Sequence, residues 1–190
     1  LAAEAARGGA ELLANELVPA RAGLVRRALA PLGAAGLGSG PAARVVEGDG
    51  SRYGRGDGDE APARYDRILL DAPCTGLGAL RRRPEARWRK GPGDVPELAA
   101  LQARLLDAAV ASLAPGGLLA YVTCSPHPAE TTAQVDAALA RHPGLHLLDT
   151  PAVLDAIATA PLGLGGASWA QLWPHRHGTD AMFVQLLTRE

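Results

Sequence analysis

Two cysteines are the residues of this chain best suited to chemistry. Cys74 follows an apolar run in a Pro-Cys-Thr turn, and Cys124 follows another in a Thr-Cys-Ser-Pro turn. A thiolate is a good nucleophile, but an ordinary thiol, with a pKa of about 8.5, is only a few per cent ionised at neutral pH. A catalytic cysteine would therefore need surroundings that lower its pKa or remove its proton. The alternatives are two small buried hydrophobic residues or a redox pair, although neither cysteine belongs to a Cys-x-x-Cys motif.

Carboxylates follow other apolar runs in the same way. Glu16, Asp49 and Asp71 each stand at or just after the end of a run, as Cys124 does. One or two acidic residues in such places would be ordinary turn chemistry, because Asp favours turns. A consistent series instead indicates the ligand-binding edge of a sheet.

The elements that must position these residues are short apolar runs that alternate with amphipathic segments. The predicted strands are 11–16, 44–47, 67–71, 118–123, 145–148 and 181–187. The predicted helices are 19–32, 97–113 and 131–141, and the connections at 33–43 and 51–64 are predicted loops. Strands that alternate with helices predict an α/β fold with a doubly wound, mostly parallel sheet.

The expected sheet would bring the two cysteines together. If 67–71 and 118–123 are neighbouring parallel strands, their ends lie about 5 Å apart. Cys74 and Cys124 would then face a common crevice.

Composition excludes several classes of protein. The 190 residues are enough for one domain with a core that needs no disulfides. Two distant cysteines do not make a disulfide framework or a zinc site, and His175, His177 and Asp180 are too few for a metal site. No apolar run reaches the roughly 18 residues of a membrane span, and no signal peptide is evident. We therefore expect a cytoplasmic protein that binds no metal.

Positive charge is local. The net charge is −1, which gives no global attraction for nucleic acid. One segment nevertheless concentrates cationic side chains around an aromatic ring, namely Arg81, Arg82, Arg83, Arg87, Trp88, Arg89 and Lys90. Guanidinium groups bind phosphates and aromatic rings stack on bases, so the segment is either an RNA-binding surface or a solvated face.

Three stretches together resemble the RNA cytosine-5 methyltransferases, and most closely the bacterial ribosomal RNA small-subunit methyltransferase B family. They are DAPCTGLGALRRRPEARWR at 71–89, YVTCSPHPAET at 121–131 and LWPHRHGTDAMF at 172–183. The resemblance implies a Rossmann-like class I fold that uses S-adenosylmethionine. It also implies that Cys124, in the Thr-Cys-Ser turn, is the nucleophile and that Cys74 helps to release the product.

The implied chemistry explains why thiols and a carboxylate are needed. Cysteine addition at C6 of cytosine breaks the conjugation of the ring and makes C5 reactive towards the sulfonium methyl group. Asp71 is the candidate that shares a proton with N3 or the exocyclic amine. Cys74 is the candidate base or helper when the C5 proton leaves and the C6–S bond breaks.

The resemblance also implies the binding residues. Glu16 would hold the ribose hydroxyls of the cofactor, Asp49 would meet the adenine amine, and Asp71 would border the methionine part. Glu16 taken alone is equally well a helix-entry carboxylate. The segment 173–180 would close over the site. The implied RNA-binding residues are Arg81, Arg82, Arg83, Arg87 and Trp88.

One expected part of the family is not found in the sequence. The glycine-rich cofactor loop, of the Gly-Pro-Gly-Gly-Lys kind, is absent, and residues 1–7 resemble the remainder of the first helix. We expect residues 1–190 to be an N-terminally truncated catalytic domain that lacks its first strand and an upstream RNA-binding domain. That strand would lie between those that end in Glu16 and Asp71. Two functions remain open: a methyltransferase of small-subunit ribosomal RNA, or a catalytically incompetent RNA-binding fragment of one.

Overall fold

The computed structural model describes residues 2–34, 43–53 and 64–190. The loops predicted at 33–43 and 51–64 fall largely outside these residues. The chain divides into two compact units, Leu1–Gly50 and Ser51–Glu190, which are described separately. No helix in the described part of the chain is long and apolar enough to cross a membrane.

The first unit is a short βαβ arrangement preceded by a helix. Its elements are α1 (Ala2–Arg7), β1 (Leu13–Glu16), α2 (Pro19–Ala34) and β2 (Arg44–Glu47). β1 and β2 pair in parallel from Leu13 opposite Arg44 to Glu16 opposite Glu47. Parallel neighbours need a crossover connection, which α2 supplies. The predictions of these strands and of α2 are confirmed, with shifts of two residues at the start of β1 and the end of α2.

The second unit contains the remaining strands and helices. They are β3 (Tyr65–Asp71), α3 (Ala86–Arg89), α4 (Asp94–Ser112), β4 (Leu113–Thr123), α5 (Thr132–Arg141), β5 (Leu145–Leu147), α6 (Thr150–Ile157), β6 (Ala170–Gln171), α7 (Pro174–His177) and β7 (Phe183–Arg189). The predicted helices and strands are all present. The helix α6, the strand β6 and the short helices α3 and α7 were not predicted.

The sheet of the second unit has one reversed strand. The strand order is β3-β4-β7-β5, and β6 also pairs with β7. β3 and β4 are parallel, whereas β4, β5 and β6 each pair with β7 in antiparallel fashion. β3, β4, β5 and β6 therefore share one direction, as the predicted mostly parallel sheet requires. β7 alone is reversed, because it returns beside β6 without the crossover that a parallel neighbour needs.

Apolar side chains bury the helices against this sheet. The core includes Leu106 of α4, Leu119 and Tyr121 of β4, and Phe183 and Leu187 of β7, all at most 1% exposed. The rings of Tyr121 and Phe183 meet edge to face, with centroids 6.2 Å apart. Removal of apolar area from water is the main stabilising term for such a core. It fixes β4 and β7 side by side at the centre of the sheet.

A glycine joins three segments at the end of the sheet where β3 and β4 stop. Gly78 N–H donates to the carbonyl of Cys124 at 2.9 Å, and the Gly78 carbonyl accepts from Ala181 N–H at 2.9 Å. A Cβ atom at this position would lie 2.0 Å from the Ala181 carbonyl oxygen and 2.9 Å from that of Cys124. Only glycine therefore allows the backbones to approach this closely.

We expect Gly78→Ala to destabilise the protein, because the added methyl group collides with backbone rather than with a flexible side chain. The expected loss is at least about 2 kcal/mol in the free energy of unfolding, measured by urea denaturation. The matched control is Gly91→Ala, since a Cβ there meets no atom within 4 Å. Equal stability of the two variants would contradict the assigned packing.

Candidate active site

The two cysteines lie side by side at the ends of neighbouring strands. β3 and β4 pair up to Asp71 and Val122, and Ala72 N–H donates to the Val122 carbonyl at 2.9 Å. Beyond this point both chains turn, and the Sγ atoms of Cys74 and Cys124 lie 3.3 Å apart. The prediction that parallel neighbouring strands bring the two thiols together is confirmed.

The contact between the thiols shifts their two pKa values in opposite directions. Hydrogen bonding with Cys74 lowers the pKa of Cys124 to about 7, against opposing effects of burial and of the Asp71 and Asp180 carboxylates. The same contact and, after it, burial raise the pKa of Cys74 far above its ordinary value. A Cys124 thiolate thus accepts a hydrogen bond from a neutral Cys74 thiol. At neutral pH the pair offers one nucleophile and one proton donor.

A buried carboxylate connects the turns that carry the cysteines. Glu130 is 0% exposed and accepts four hydrogen bonds. Two come from Thr75, whose N–H and hydroxyl lie 2.7 and 2.5 Å from the carboxylate oxygens. The others come from the Ser125 hydroxyl at 2.6 Å and the Gln102 amide at 3.3 Å. The residue after each cysteine is therefore bound to the same side chain.

Sequence reasoning did not single out this carboxylate. Glu130 lies in a Pro-Ala-Glu stretch just before α5, in a short 3₁₀ helix at Pro128–Glu130. An acidic residue at a predicted helix start usually interacts with the helix dipole in solvent. Its position in the sequence could have indicated a role. Glu130 follows Cys124 by six residues, within one of the stretches that carry the resemblance.

Asp71 stands at the end of β3 with its side chain exposed. It pairs with Val122, two residues before Cys124, and its carboxylate raises the pKa of that thiol. The structure therefore brings together three of the residues predicted to be catalytic, namely Asp71, Cys74 and Cys124.

Two of the predicted RNA-binding residues also contact the segment 178–180. Arg82 Nε donates to Asp180 Oδ2 at 2.8 Å, and Asp180 is only 6% exposed. Arg81 donates to the carbonyl of Gly178 at 3.1 Å. These two arginines thus hold the segment 178–180 against the residues that follow Cys74. All five predicted RNA-binding residues are exposed, the Arg82 side chain to 66% and Trp88 to 84%.

His177 connects the segment 173–180 to backbone both inside the segment and at Leu162. His177 Nδ1 accepts from Trp173 N–H at 2.8 Å, and Nε2 lies 3.0 Å from the Leu162 carbonyl. Both ring nitrogens are therefore engaged with backbone. Among the residues that the structure describes, no group of three or more His, Cys, Asp and Glu side chains is arranged to hold a metal ion.

The two carboxylates predicted to bind the cofactor lie in the first unit. Glu16 ends β1, accepts from Val18 N–H at 2.9 Å and forms an ion pair with Arg21 at 3.2 Å. It therefore acts as the helix-entry carboxylate of α2. Asp49 follows β2 by two residues and is exposed. Because β1 and β2 are parallel, both residues lie at the same edge of this strand pair.

Comparisons with known proteins identify relatives of this chain. A Mycobacterium tuberculosis protein named as a methyltransferase is 59% identical over 125 residues, which are 66% of this chain and 26% of that protein. Ribosomal RNA small subunit methyltransferase B of Erwinia tasmaniensis is 44% identical over 148 residues, 78% of this chain and 31% of its own length. The chain thus spans between a quarter and a third of these relatives.

Solved structures show the same fold. The crystal structure of NSun6 from Pyrococcus horikoshii with SFG superposes with a TM-score of 0.74 and 25% identity, over 95% of this chain and 41% of that one. The sequence profile described as 16S rRNA methyltransferase RsmB/F matches residues 2–188, nearly the full length of the chain. The chain therefore belongs to the RsmB/F family of 16S rRNA methyltransferases.

Proposed function

We propose that the protein to which this chain belongs transfers a methyl group from S-adenosylmethionine to C5 of a cytosine in small-subunit ribosomal RNA, in the cytoplasm. The observation that carries the proposal is the pair of thiols 3.3 Å apart at the ends of two parallel strands. A single nucleophilic cysteine would suffice for addition to a base. A second thiol in hydrogen-bond contact supports a reaction that must also eliminate the first.

The proposed roles follow from the ionisation of the pair. Cys124 Sγ adds to C6 of the cytosine, and the electron pair moves towards N3, where Asp71 shares a proton with the ring. Bound S-adenosylmethionine supplies an electrophilic methyl group to C5. Once Cys124 is bonded to C6, its sulfur no longer accepts the Cys74 proton, and Cys74 loses that proton to solvent. The Cys74 thiolate then takes up the C5 proton, the C5–H electron pair forms the C5–C6 double bond, and the C6–S bond breaks to release the Cys124 thiolate. The proton on N3 returns to Asp71. General acid–base roles of this kind contribute about 10² to 10⁴-fold each.

The carboxylates of the first unit fit the proposed cofactor. Parallel sheets bind ligands beyond the carboxyl ends of their strands, and Glu16 and Asp49 occupy that edge of the β1–β2 pair. Glu16 would bind the ribose hydroxyls through the oxygen that does not cap α2, and Asp49 would bind the adenine amine. Asp71 occupies the equivalent place at the end of β3 and would border the methionine part.

The exposed part of the arginine segment supports an RNA substrate. Arg83, Arg87 and Trp88 present two guanidinium groups and an indole to solvent, and such groups bind phosphates and stack on bases. The target cytosine must leave its stack to reach the thiols. A fragment that binds RNA without turnover is the alternative function, and the covalent adduct distinguishes the two.

We expect the full-length protein to form a covalent adduct with RNA that contains 5-azacytidine, because nitrogen at position 5 carries no proton to eliminate. Denaturing gels would show the adduct with the wild type and its absence with Cys124→Ala. Cys74→Ala is expected to accumulate an adduct even with ordinary cytidine, since release is impaired. An adduct that persists in Cys124→Ala would contradict the assignment of the nucleophile.

We expect Cys74→Ala to slow alkylation of Cys124 by iodoacetamide about tenfold or more at pH 7, because loss of the hydrogen bond raises the pKa of Cys124 towards that of a free thiol. In the wild type the rate should rise with pH to a plateau, with its midpoint near 7. The mutant midpoint should lie about one unit or more higher. Superimposable pH profiles would show that the thiol contact does not activate Cys124.

We expect this chain alone to bind S-adenosylmethionine weakly or not at all, because the glycine-rich loop of the family is absent from its sequence. Isothermal titration calorimetry of the chain with S-adenosylmethionine would measure the affinity. Tight binding by this chain would show that the glycine-rich loop is not needed to bind S-adenosylmethionine, which would contradict the prediction.

A further inference from the structure

Glu130 contacts both turns of the candidate site, yet none of the proposed steps uses it. We propose that Glu130 is a positioning residue that sets the spacing of the two cysteine turns and leaves Cys124, rather than Cys74, as the attacking thiolate. The inference rests on the proposed function, because the identity of the attacking thiolate matters only for that reaction. The spacing and the ionisation of the two thiols can nevertheless be tested without the reaction.

The hydrogen bonds provide a direct measure of the spacing. The Thr75 and Ser125 hydroxyls donate to one oxygen, Glu130 Oε2, at 2.5 and 2.6 Å, and the two hydroxyl oxygens lie 3.4 Å apart. Each hydroxyl belongs to the residue directly after a cysteine. Two short bonds to a single atom therefore fix the spacing of the residues that follow the cysteines.

Glu130 is itself held by the core. The Tyr121 hydroxyl, on a fully buried side chain of β4, donates to the Glu130 carbonyl at 2.9 Å. Gln102 of α4 donates both to Glu130 Oε1 and to the Pro73 carbonyl, at 3.3 and 2.8 Å. The residue before Cys74 is thus tied to the same network as the residue after it. Such a network fixes its members to a degree that separate bonds do not.

The carboxylates near the thiols differ in whether they have a cationic partner. Asp180 faces Cys124 but is paired with Arg82, and Asp71 faces the same thiol from the exposed end of β3. Tyr121 faces Cys74 as a neutral hydroxyl. Every hydrogen bond to the Glu130 carboxylate comes from a neutral donor, and none of its partners among the described residues is cationic. The pKa of Cys74 is raised first by the contact with Cys124 and by burial, and Glu130 adds to the same effect.

The replacement Glu130→Gln tests the charge with little change of shape. A glutamine accepts from Thr75 N–H through its oxygen, and its amide group donates to the two hydroxyls, which also accept. Substoichiometric iodoacetamide at pH 7, followed by peptide mass mapping, gives the partition of label between the cysteines. We expect label on Cys124 in the wild type and a larger share of label on Cys74 in Glu130→Gln.

The matched control is Glu97→Gln, the same chemical change at an exposed position of α4, which should leave the partition unaltered. Circular dichroism verifies the fold of each variant. An unchanged partition in folded Glu130→Gln overturns the proposal. A purely structural role would lower the melting temperature without moving the label.

If Glu130→Gln does not fold, Thr75→Val and Ser125→Ala decide the question, since each removes one hydroxyl from Oε2. Phenylarsine oxide bridges two thiols only when they are close, so its affinity reports their spacing. We expect at least about fivefold weaker binding in each variant, and wild-type affinity in both would overturn the proposal. These measurements use neither RNA nor S-adenosylmethionine. Their failure is therefore distinguishable from absence of the 5-azacytidine adduct, which would contradict the proposed methyl transfer instead.

Discussion

The parallel pairing of β3 with β4 is the constraint on which the site depends. The register runs from Arg67 opposite Leu118 to Asp71 opposite Val122, so the strands stop at the same level of the sheet. Two chains that leave a sheet side by side must turn within a few ångströms of each other. A slip of one residue would move every following side chain to the opposite face. The contact between the thiols is therefore a consequence of strand register before it is a property of either turn.

Several parts of this arrangement are predictable from local sequence. The apolar runs at 67–71 and 118–123 mark buried strands, and each leads into a turn with proline and a cysteine. Pro115, Gly116 and Gly117 follow α4, which ends at Ser112 close to the predicted position. The spacing of apolar residues, the length of each run and the turn residues were sufficient to predict these elements. Each strand or helix that buries one face shows this in its own sequence.

Other parts depend on contacts between distant segments. The Asp149 side chain accepts from Ala152 N–H at the start of α6, but no helix was predicted between the strands 145–148 and 181–187. The insertion of β7 between β4 and β5 leaves no trace in the composition of any of the three strands. Glu130 was not recognised because its burial results from three segments meeting around one carboxylate. Arg82 also pairs with Asp180, 98 residues away in the chain, and local sequence does not indicate that contact.

The reversed strand β7 has a consequence for the order of assembly. β7 is synthesised after β4, β5 and β6, yet it pairs with all three and separates β4 from β5. The residues just before it, Asp180 and Ala181, bind Arg82 and Gly78 of the cysteine turn. While the chain emerges from the ribosome, β3 and β4 therefore lack the strand that completes their sheet and the segment that secures the thiols. The contacts of Gly78 with Ala181 and of Arg82 with Asp180 therefore form only when almost all of this chain has been made.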